Sequence, residues 1–331
     1  IGSLYNLMMD SARMNREGYA PIKPTLAKIG AIKNRKEYQL VMAQLDRNGE
    51  GTMMFGVGVG ADQKNAEWNI VGVSQGGLGL DTRDYYLSDD AQNKRILEAY
   101  KAYLKKLFLM TGNDEAAAEK KMQAVINIET RIAKASYDRV KLRDIEANYH
   151  KMTYAQLIND FPGIDWGNVF LASGFPAFDY VDVGQPEPIH EVEKILAEAS
   201  LDDLKSYAEA KVIGGATSVL GDEFRKVSFE LSSVMTGVKE DRPRWKRAVG
   251  LVSGTLGEAI GKLYVEKYFP ESSKKRMLEL VHNLQTALGQ RIDGLAWMSS
   301  TTKAQAKDKL SNFIIKIGYP DKWKDYSGLQ V

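Results

Sequence analysis

The chain has 331 residues, with 45 basic and 43 acidic side chains and 44% hydrophobic residues. This composition is typical of a globular protein with a sizeable core, and a net charge of +2 gives no reason to expect nucleic acid or an anionic membrane as partner. The absence of cysteine excludes disulfides, Cys-ligated zinc, iron–sulfur clusters and thiol catalysis within this sequence.

No apolar run approaches the roughly 20 residues that span a bilayer, so we expect no membrane-spanning segment. The opening "GSLYNLMMDSARMN" is typical of the interior of a helical segment, without an initiator Met or a signal-type apolar region. We therefore expect the chain to be a piece of a longer protein.

A β-hairpin is predicted near residues 53–73. Two β-type runs, Met53–Val59 and Trp68–Val73, flank a polar linker at residues 62–65. The glycines of "GVGVG", Gly56 to Gly60, lack G-x-G-x-x-G spacing and lead into a polar turn instead of a helix. They favour a bulge or a close backbone approach over a phosphate loop.

The stretch "GLGLDTRDYYL", from Gly77 to Leu87, is a more distinctive candidate site. Two glycines, an Asp-Thr turn and two tyrosines surround the adjacent pair Arg83 and Asp84. We interpret the stretch as a tight loop whose Arg and Asp satisfy buried backbone or carboxylate groups. Arg83, Asp84 and Tyr86 are its structural candidates, with a substrate-facing role as the alternative.

Helical periodicity dominates most of the remaining chain. Between Ser88 and Asp114, large apolar residues recur at i, i+3, i+4 and i+7, which predicts a core-packed helix capped by Ser88 or Asp89. Its apolar face comprises Ile96, Leu97, Tyr100, Tyr103, Leu104, Leu107 and Phe108.

The next helix is predicted to expose Glu129 and Arg131. Its inward residues are Met122, Val125, Ile126, Ile128 and Ile132. Further along, Thr153 and Ser200 are predicted helix caps. Three long helical patterns then follow, at Arg244 to Phe269, Ser272 to Met298 and Thr301 to Ile317.

The predicted fold class is mainly α and multi-helical, with one small β-hairpin. Single cores stop growing at roughly 250–300 residues, so two lobes are expected. Glycines and prolines are frequent in residues 161–190, which predicts an irregular connection between a helical region with the hairpin, 1–160, and a long-helix region, 191–331.

The segment "HEVEK", from His190 to Lys194, begins like a His-Glu-x-x-His zinc helix but has Lys at the second histidine position. Pro188 and Glu191 instead favour an ordinary helix start. The other histidines, His150 and His282, lie in unrelated segments. On these residues, no catalytic or metal-binding site is predicted.

Small residues are frequent between Trp245 and Phe269, on a helical pattern. Each glycine costs a helix about 1 kcal/mol against alanine, so the cluster indicates a close helix–helix approach or a bend. A groove wall for an extended ligand is the functional alternative. The small residues are Gly250, Ser253, Gly254, Gly257 and Gly261.

Several stretches, taken in order, resemble the neprilysin family of zinc metallopeptidases, including its bacterial endopeptidase O-like members. The hairpin also falls where that family has one. The matching stretches are "LYNLMMDSARMNREG", "GLGLDTRDYYL", "YHKMTYAQL", "RWKRAVGLVSGTLGEAIGKLYVEKYF" and "GLAWMSSTTKAQAKDKLSNFIIKIGYPDKW".

The resemblance implies the N-terminal, non-catalytic part of a two-lobed zinc endopeptidase that hydrolyses peptides. The family's zinc ligands and substrate-binding segment would lie beyond "IGYPDKW", so no catalytic residue is carried over to this chain, which is expected to bind no zinc and to be inactive alone. The helical lobe would cover the cavity, and its partner would be the C-terminal catalytic half of the same protein.

The sequence leaves open both the role of the chain and the origin and location of the protein. The chain could instead be a stand-alone helical binding or adaptor protein related to the family. The absence of cysteine favours a bacterial member over the disulfide-rich animal members. An extracytoplasmic location, exported or lipid-anchored, is expected by analogy.

Overall fold

Helices account for 64% of the computed structural model, which describes residues 1–329. The chain divides into two units, which we call the core unit and the long-helix unit. The core unit is Ser11–Asp241, and the long-helix unit combines Ile1–Asp10 with the residues from Arg242 onward. The predicted fold class, mainly α with a small β-hairpin, is confirmed.

The core unit consists of helices of 4 to 21 residues around one sheet. Its helices are α2 Ser11–Glu17, α3 Lys23–Gly30, α4 Arg35–Asn48, α5 Asp84–Leu87, α6 Ala91–Met110, α7 Glu115–Ala135, α8 Tyr154–Asp160, α9 Trp166–Ser173, α10 Pro186–Glu198, α11 Leu201–Ala216 and α12 Asp222–Thr236. The long-helix unit contains α1 Gly2–Met9, α13 Arg244–Thr255, α14 Gly257–Tyr268, α15 Glu271–Gly294 and α16 Ser300–Ser311.

The sheet of the core unit extends the predicted hairpin by two short strands. Strands β1 Phe55–Asp62 and β2 Asn65–Gln75 pair antiparallel, with Val57 opposite Val73. Strand β4, Tyr180–Val183, runs parallel to β2, and β3, Lys151–Thr153, runs antiparallel to β4. The strand order is therefore β1-β2-β4-β3, with β1 at one edge.

Local capping chemistry explains where several helices begin. Thr153 and Gln156 form a capping box at α8, and the Ser200 hydroxyl accepts the Asp203 N–H at α11, as predicted. The predicted cap of α6 was misplaced. Asp90, one residue beyond the predicted pair, accepts the N–H groups of Gln92 and Asn93.

One hydrophobic core runs through the core unit. Helices α4, α6, α7, α9, α10 and α11 supply buried apolar side chains, and the sheet adds Phe55, Val71, Val73, Val181 and Val183. Of the predicted α6 face, five residues are buried, and Leu97 and Tyr103 pack partly buried against the core.

The segment 161–190 contains regular structure, since α9, β4 and the start of α10 lie within it. Phe161, Trp166 and Phe170 in this segment are buried, and the Trp166 ring contacts those of Phe161 and Phe170. It lies inside the core unit, and the predicted boundaries at 160 and 190 stay a prediction about the domains of the protein.

The first long helical pattern contains a break. Leu256, with φ −121° and ψ 37°, separates α13 from α14 directly before Gly257. A Cβ at Gly250, Gly254 or Gly257 would meet no atom within 4 Å, so among the described residues no close helix approach explains these three glycines. The predicted bend lies directly before Gly257, and the groove wall stays a prediction. The next two helices end at Gly294 and Ser311, before their predicted ends.

Candidate functional site

The loop from Gly77 to Leu87 is held against the core by its glycines. Gly77 has φ +85°, and a Cβ there would lie 2.8 Å from the backbone of Met54. A Cβ at Gly79 would lie 1.8 Å from the Tyr100 hydroxyl. Only glycine allows such approaches, so the "GLG" of the motif is explained by close packing.

A buried carboxylate, Glu129 of α7, anchors this loop. The Tyr86 hydroxyl donates to Glu129 Oε2 at 2.7 Å, and it accepts the N–H groups of Gly79 at 3.2 Å and Leu80 at 3.0 Å. Tyr86 therefore links the loop backbone to the helix behind it. Its burial and the neighbouring Glu129 charge raise the pKa of Tyr86 far above the ordinary range of tyrosine.

Two further donors complete the surroundings of Glu129. Lys211 Nζ of α11 lies 2.5 Å from Glu129 Oε1, and the Tyr100 hydroxyl of α6 donates to the same oxygen at 3.1 Å. The Tyr207 hydroxyl donates to the carbonyl of Gly77 at 2.7 Å. Burial and the Glu129 charge also raise the pKa values of Tyr100 and Tyr207.

The position of Glu129 corrects a prediction. It was expected to be exposed, but it is 0% exposed, whereas Arg131 is half-buried in ion pairs with Glu191 and Glu198. The sequence did contain a signal. Glu129 follows Val125 by four residues and precedes Ile132 by three, so it belongs to the apolar face of the helix.

The network has the chemistry of a scaffold. Its carboxylate is enclosed by one ammonium and two hydroxyl donors, which satisfies a charge that would be costly if left unpaired. The raised pKa values keep the hydroxyls of Tyr86 and Tyr100 protonated near neutral pH, so both act as hydrogen-bond donors to Glu129. The sequence patterns gave no signal for Lys211 or Tyr207, because their partners lie more than 80 residues away.

Arg83 and Asp84 have different surroundings from Tyr86. The Arg83 guanidinium donates to the carbonyl of Ser136, at the end of α7, and is half-buried. Asp84 is exposed, and its carboxylate accepts the Thr82 hydroxyl at 3.3 Å. The structure thus joins Tyr86 to Glu129 and Arg83 to Ser136. A substrate-facing role for Arg83, Asp84 or Tyr86 stays a prediction.

The residues of the "HEVEK" segment do not fit a zinc site. His190 Nδ1 lies 2.9 Å from Glu193 Oε2, and its ring stacks on Phe161. Glu191 is paired with Arg131 at 2.7 Å. Among residues 1–329, no group of three or more His, Cys, Asp or Glu side chains is arranged to hold a metal ion.

The long-helix unit presents an apolar stripe along α15. Met277, Leu280, Leu284 and Leu288 recur at helical spacing and are all exposed. A contiguous row of exposed large apolar side chains is typical of an interaction surface. None of the described helices is long and apolar enough to cross a membrane.

Comparison with solved structures places this fold among zinc metalloproteases. The chain superposes on zinc metalloprotease ZMP1 of Mycobacterium tuberculosis in complex with an inhibitor with a TM-score of 0.91 and 34% identity, covering 99% of this chain and 50% of that one. The fold is also similar to that of PepO from Lactobacillus rhamnosis, with a TM-score of 0.82 at 18% identity.

Curated relatives give the same result from sequence. Endothelin-converting enzyme 1 of Rattus norvegicus is 29% identical over 332 residues, covering 96% of this chain and 43% of the relative. The chain thus spans about half the length of the relatives it matches. The family model of Peptidase family M13 matches residues 1–320. The resemblance inferred from the sequence motifs is confirmed, and the chain belongs to Peptidase family M13 as an N-terminal portion of its members.

Proposed function

We propose that this chain is the cavity-covering N-terminal portion of a zinc metalloendopeptidase and that it lacks the zinc site itself. The observation that carries the proposal is the length relation, since half of the ZMP1 chain and more than half of endothelin-converting enzyme 1 lie outside the match. The zinc ligands, the peptide-cleaving centre and the C-terminal partner half would then lie outside residues 1–331.

The donor set of the chain supports the absence of a zinc site. Protein zinc sites use about three or four His, Cys or carboxylate ligands at one point. His150 Nδ1 lies 3.0 Å from the carbonyl of Val183, His190 pairs with Glu193, and His282 lies on α15. Three imidazoles on separate elements do not meet that requirement.

A covering role is supported by the kinds of states seen in a relative. ZMP1 of Mycobacterium tuberculosis has been solved in an open state and in a partial open state. A portion that opens and closes over a cavity admits peptides and excludes bulk water during reaction. In this proposal, the apolar stripe of α15 packs against the C-terminal half.

The test compares this chain with the full-length protein. We expect the purified chain to bind no stoichiometric zinc and to cleave no peptide, and the full-length protein to do both, as measured by metal analysis and fluorogenic peptide hydrolysis. Tight one-to-one zinc binding with cleavage by the chain alone would contradict the proposal. A gene that ends at Val331 without a His-Glu-x-x-His segment would instead favour the adaptor alternative.

A second experiment tests the stripe. The triple variant Leu280→Gln, Leu284→Gln, Leu288→Gln should fail to assemble with a separately expressed C-terminal half in size-exclusion chromatography. The control is Leu171→Gln, which changes a leucine on α9 of the core unit that is 73% exposed. Equal assembly of both variants would show that the stripe is not part of the interface.

An extracytoplasmic location of the protein belongs to the same proposal, and cell fractionation tests it.

A further inference from the structure

The free side of strand β1 is an unprotected sheet edge. Among residues 1–329, β1 pairs only with β2, and its residues Gly58 to Ala61 are exposed. Natural edge strands are usually protected by charges, proline or a bulge. From Phe55 to Ala61 there is no charge and no proline, and the pairing irregularity lies at the far end, between Ala61 and Asp62.

The hydrogen bonds of β2 determine which backbone groups of β1 face outward. The carbonyl of Val73 accepts the N–H of Gly184 at 2.9 Å, so the polar groups of Val73 point toward β4. The N–H and C=O of one strand residue point to the same side, and those of the next residue point to the other side. Val57, opposite Val73, therefore directs its N–H and C=O away from β2.

Alternation extends this result along the strand. Val59 and Ala61 also direct their backbone groups outward, whereas Gly58 and Gly60 hold the ladder to β2. Val59 is 61% exposed. These three residues, at alternate positions of the strand, form a template on which an extended chain can pair in an antiparallel or parallel ladder.

We infer that the outer edge of β1 binds an extended peptide, which adds a fifth strand to the sheet through the backbone groups of Val57, Val59 and Ala61. The bound segment of the peptide comprises about five uncharged residues, with bulky apolar side chains at alternate positions. Backbone pairing supplies affinity for many sequences, and the side-chain alternation supplies preference.

The glycines of the hairpin favour such a peptide over a second copy of this chain. A Cβ at Gly58, Gly60 or Gly72 would meet no atom within 4 Å, so one face beside the edge is bare. An incoming bulky side chain can cover these glycines. When β1 pairs with another β1, glycine faces glycine and this face gains no side-chain contact.

This inference rests on the proposed function for the origin of the peptide, which would be a substrate taken into the covered cavity. The pairing itself involves only residues of this chain. It needs neither zinc nor cleavage, so the binding measurement and the activity measurement can fail independently of each other.

The test measures binding of a fluorescein-labelled, end-blocked hexapeptide of alternating Phe and Thr to the 331-residue chain by fluorescence anisotropy. Val59→Pro removes an outward N–H but no hydrogen bond of the β1–β2 ladder. We expect binding at least about tenfold weaker, against a change below about threefold for the control Val59→Ala, which keeps the N–H. Circular dichroism melting of both variants verifies that each is folded.

A second variant examines the bare glycine face. Gly58→Val should reduce the preference for the Phe peptide over a matched Ala peptide, because the added side chain fills the space. Unchanged affinity in folded Val59→Pro would overturn the inference. The inference would also be overturned if no peptide bound and the chain formed a dimer that Val59→Pro dissociated. A second copy of the chain would then be the occupant of the edge.

Discussion

Helices α7 and α15 have similar lengths but very different burial. Helix α7, with 21 residues, buries nine side chains in the core unit, whereas α15, with 24 residues, buries only Ile292. Both have the periodicity of an amphipathic helix. Periodicity therefore predicts that a helix has an apolar face, but it does not identify what covers that face.

The same contrast separates the two units. The core unit encloses a continuous cluster of apolar side chains, including large ones such as Trp166 and Tyr207. In the long-helix unit, the buried hydrophobic residues among those described are Met8, Ala248, Val252 and Ile292. A unit that buries so little has few interactions to offset its conformational entropy, so we expect it to depend on further contacts.

The largest effect is expected from the buried charge of the core unit. Glu129→Ala leaves the Lys211 ammonium and the Tyr86 and Tyr100 hydroxyls without their partner, so the free energy of unfolding should fall by about 3–5 kcal/mol. Urea denaturation followed by circular dichroism measures the change.

The control for this experiment is Glu230→Ala, which breaks an exposed pair with Lys106 at 2.6 Å. Exposed pairs contribute about 0–1 kcal/mol, so this variant should unfold almost as the parent does. Equal losses in the two variants would mean that the Glu129 network adds nothing beyond a surface ion pair.

A matched pair of leucines tests the difference between the units directly. Leu107→Ala removes a side chain that is 1% exposed in the core unit and should cost about 2–5 kcal/mol. Leu284→Ala acts on a side chain that is 61% exposed on α15 and should change stability by less than about 0.5 kcal/mol. A comparable loss at Leu284 would show that α15 is covered in solution, for example by self-association.

A smaller effect is expected at Arg83. Arg83→Met keeps the length of the side chain but leaves the buried carbonyl of Ser136 without its donor, which should cost about 1–3 kcal/mol. Asp84→Asn, on the adjacent exposed residue, should cost less than about 0.5 kcal/mol. Unchanged stability in Arg83→Met, measured by thermal unfolding, would favour the substrate-facing alternative for this residue.

These comparisons explain how far the sequence could predict the fold. The hairpin, the face of α6 and the caps Thr153 and Ser200 were predicted because their signals are local. The partner strand β4 could not be predicted, since it lies more than 100 residues beyond β2 and its four residues carry little pattern of their own.

The site illustrates the same limit. The loop containing Arg83, Asp84 and Tyr86 was recognised from its unusual composition. Its anchor Glu129 was assigned to solvent, because a charge on an amphipathic helix is normally exposed. Burial of that charge depends on Lys211, 82 residues away along the chain, and spacing rules within one helix carry no such information.

The smallest effect is expected at the tip of the hairpin and depends on pH. Lys151 Nζ lies 2.7 Å from Asp62, and the N–H of Lys64 and the Tyr149 hydroxyl also donate to it. These donors, chiefly Lys151, lower the pKa of Asp62 to about 2. A folded-state pKa below the unfolded value means that the carboxylate stabilises the folded state above about pH 4.

That stabilisation should disappear as the pH falls from about 4 toward 2, where Asp62 takes up its proton in the folded state as well. Asp62→Asn should therefore melt at a lower temperature than the parent at pH 7, and the two melting curves should converge as the pH falls below about 2. The control Asp160→Asn, at an exposed position at the end of α8, should follow the parent throughout. A difference for Asp62→Asn that persists unchanged below pH 2 would assign its effect to altered packing, because Asp62 is then mostly protonated in the parent and the ion pair with Lys151 is lost in both proteins.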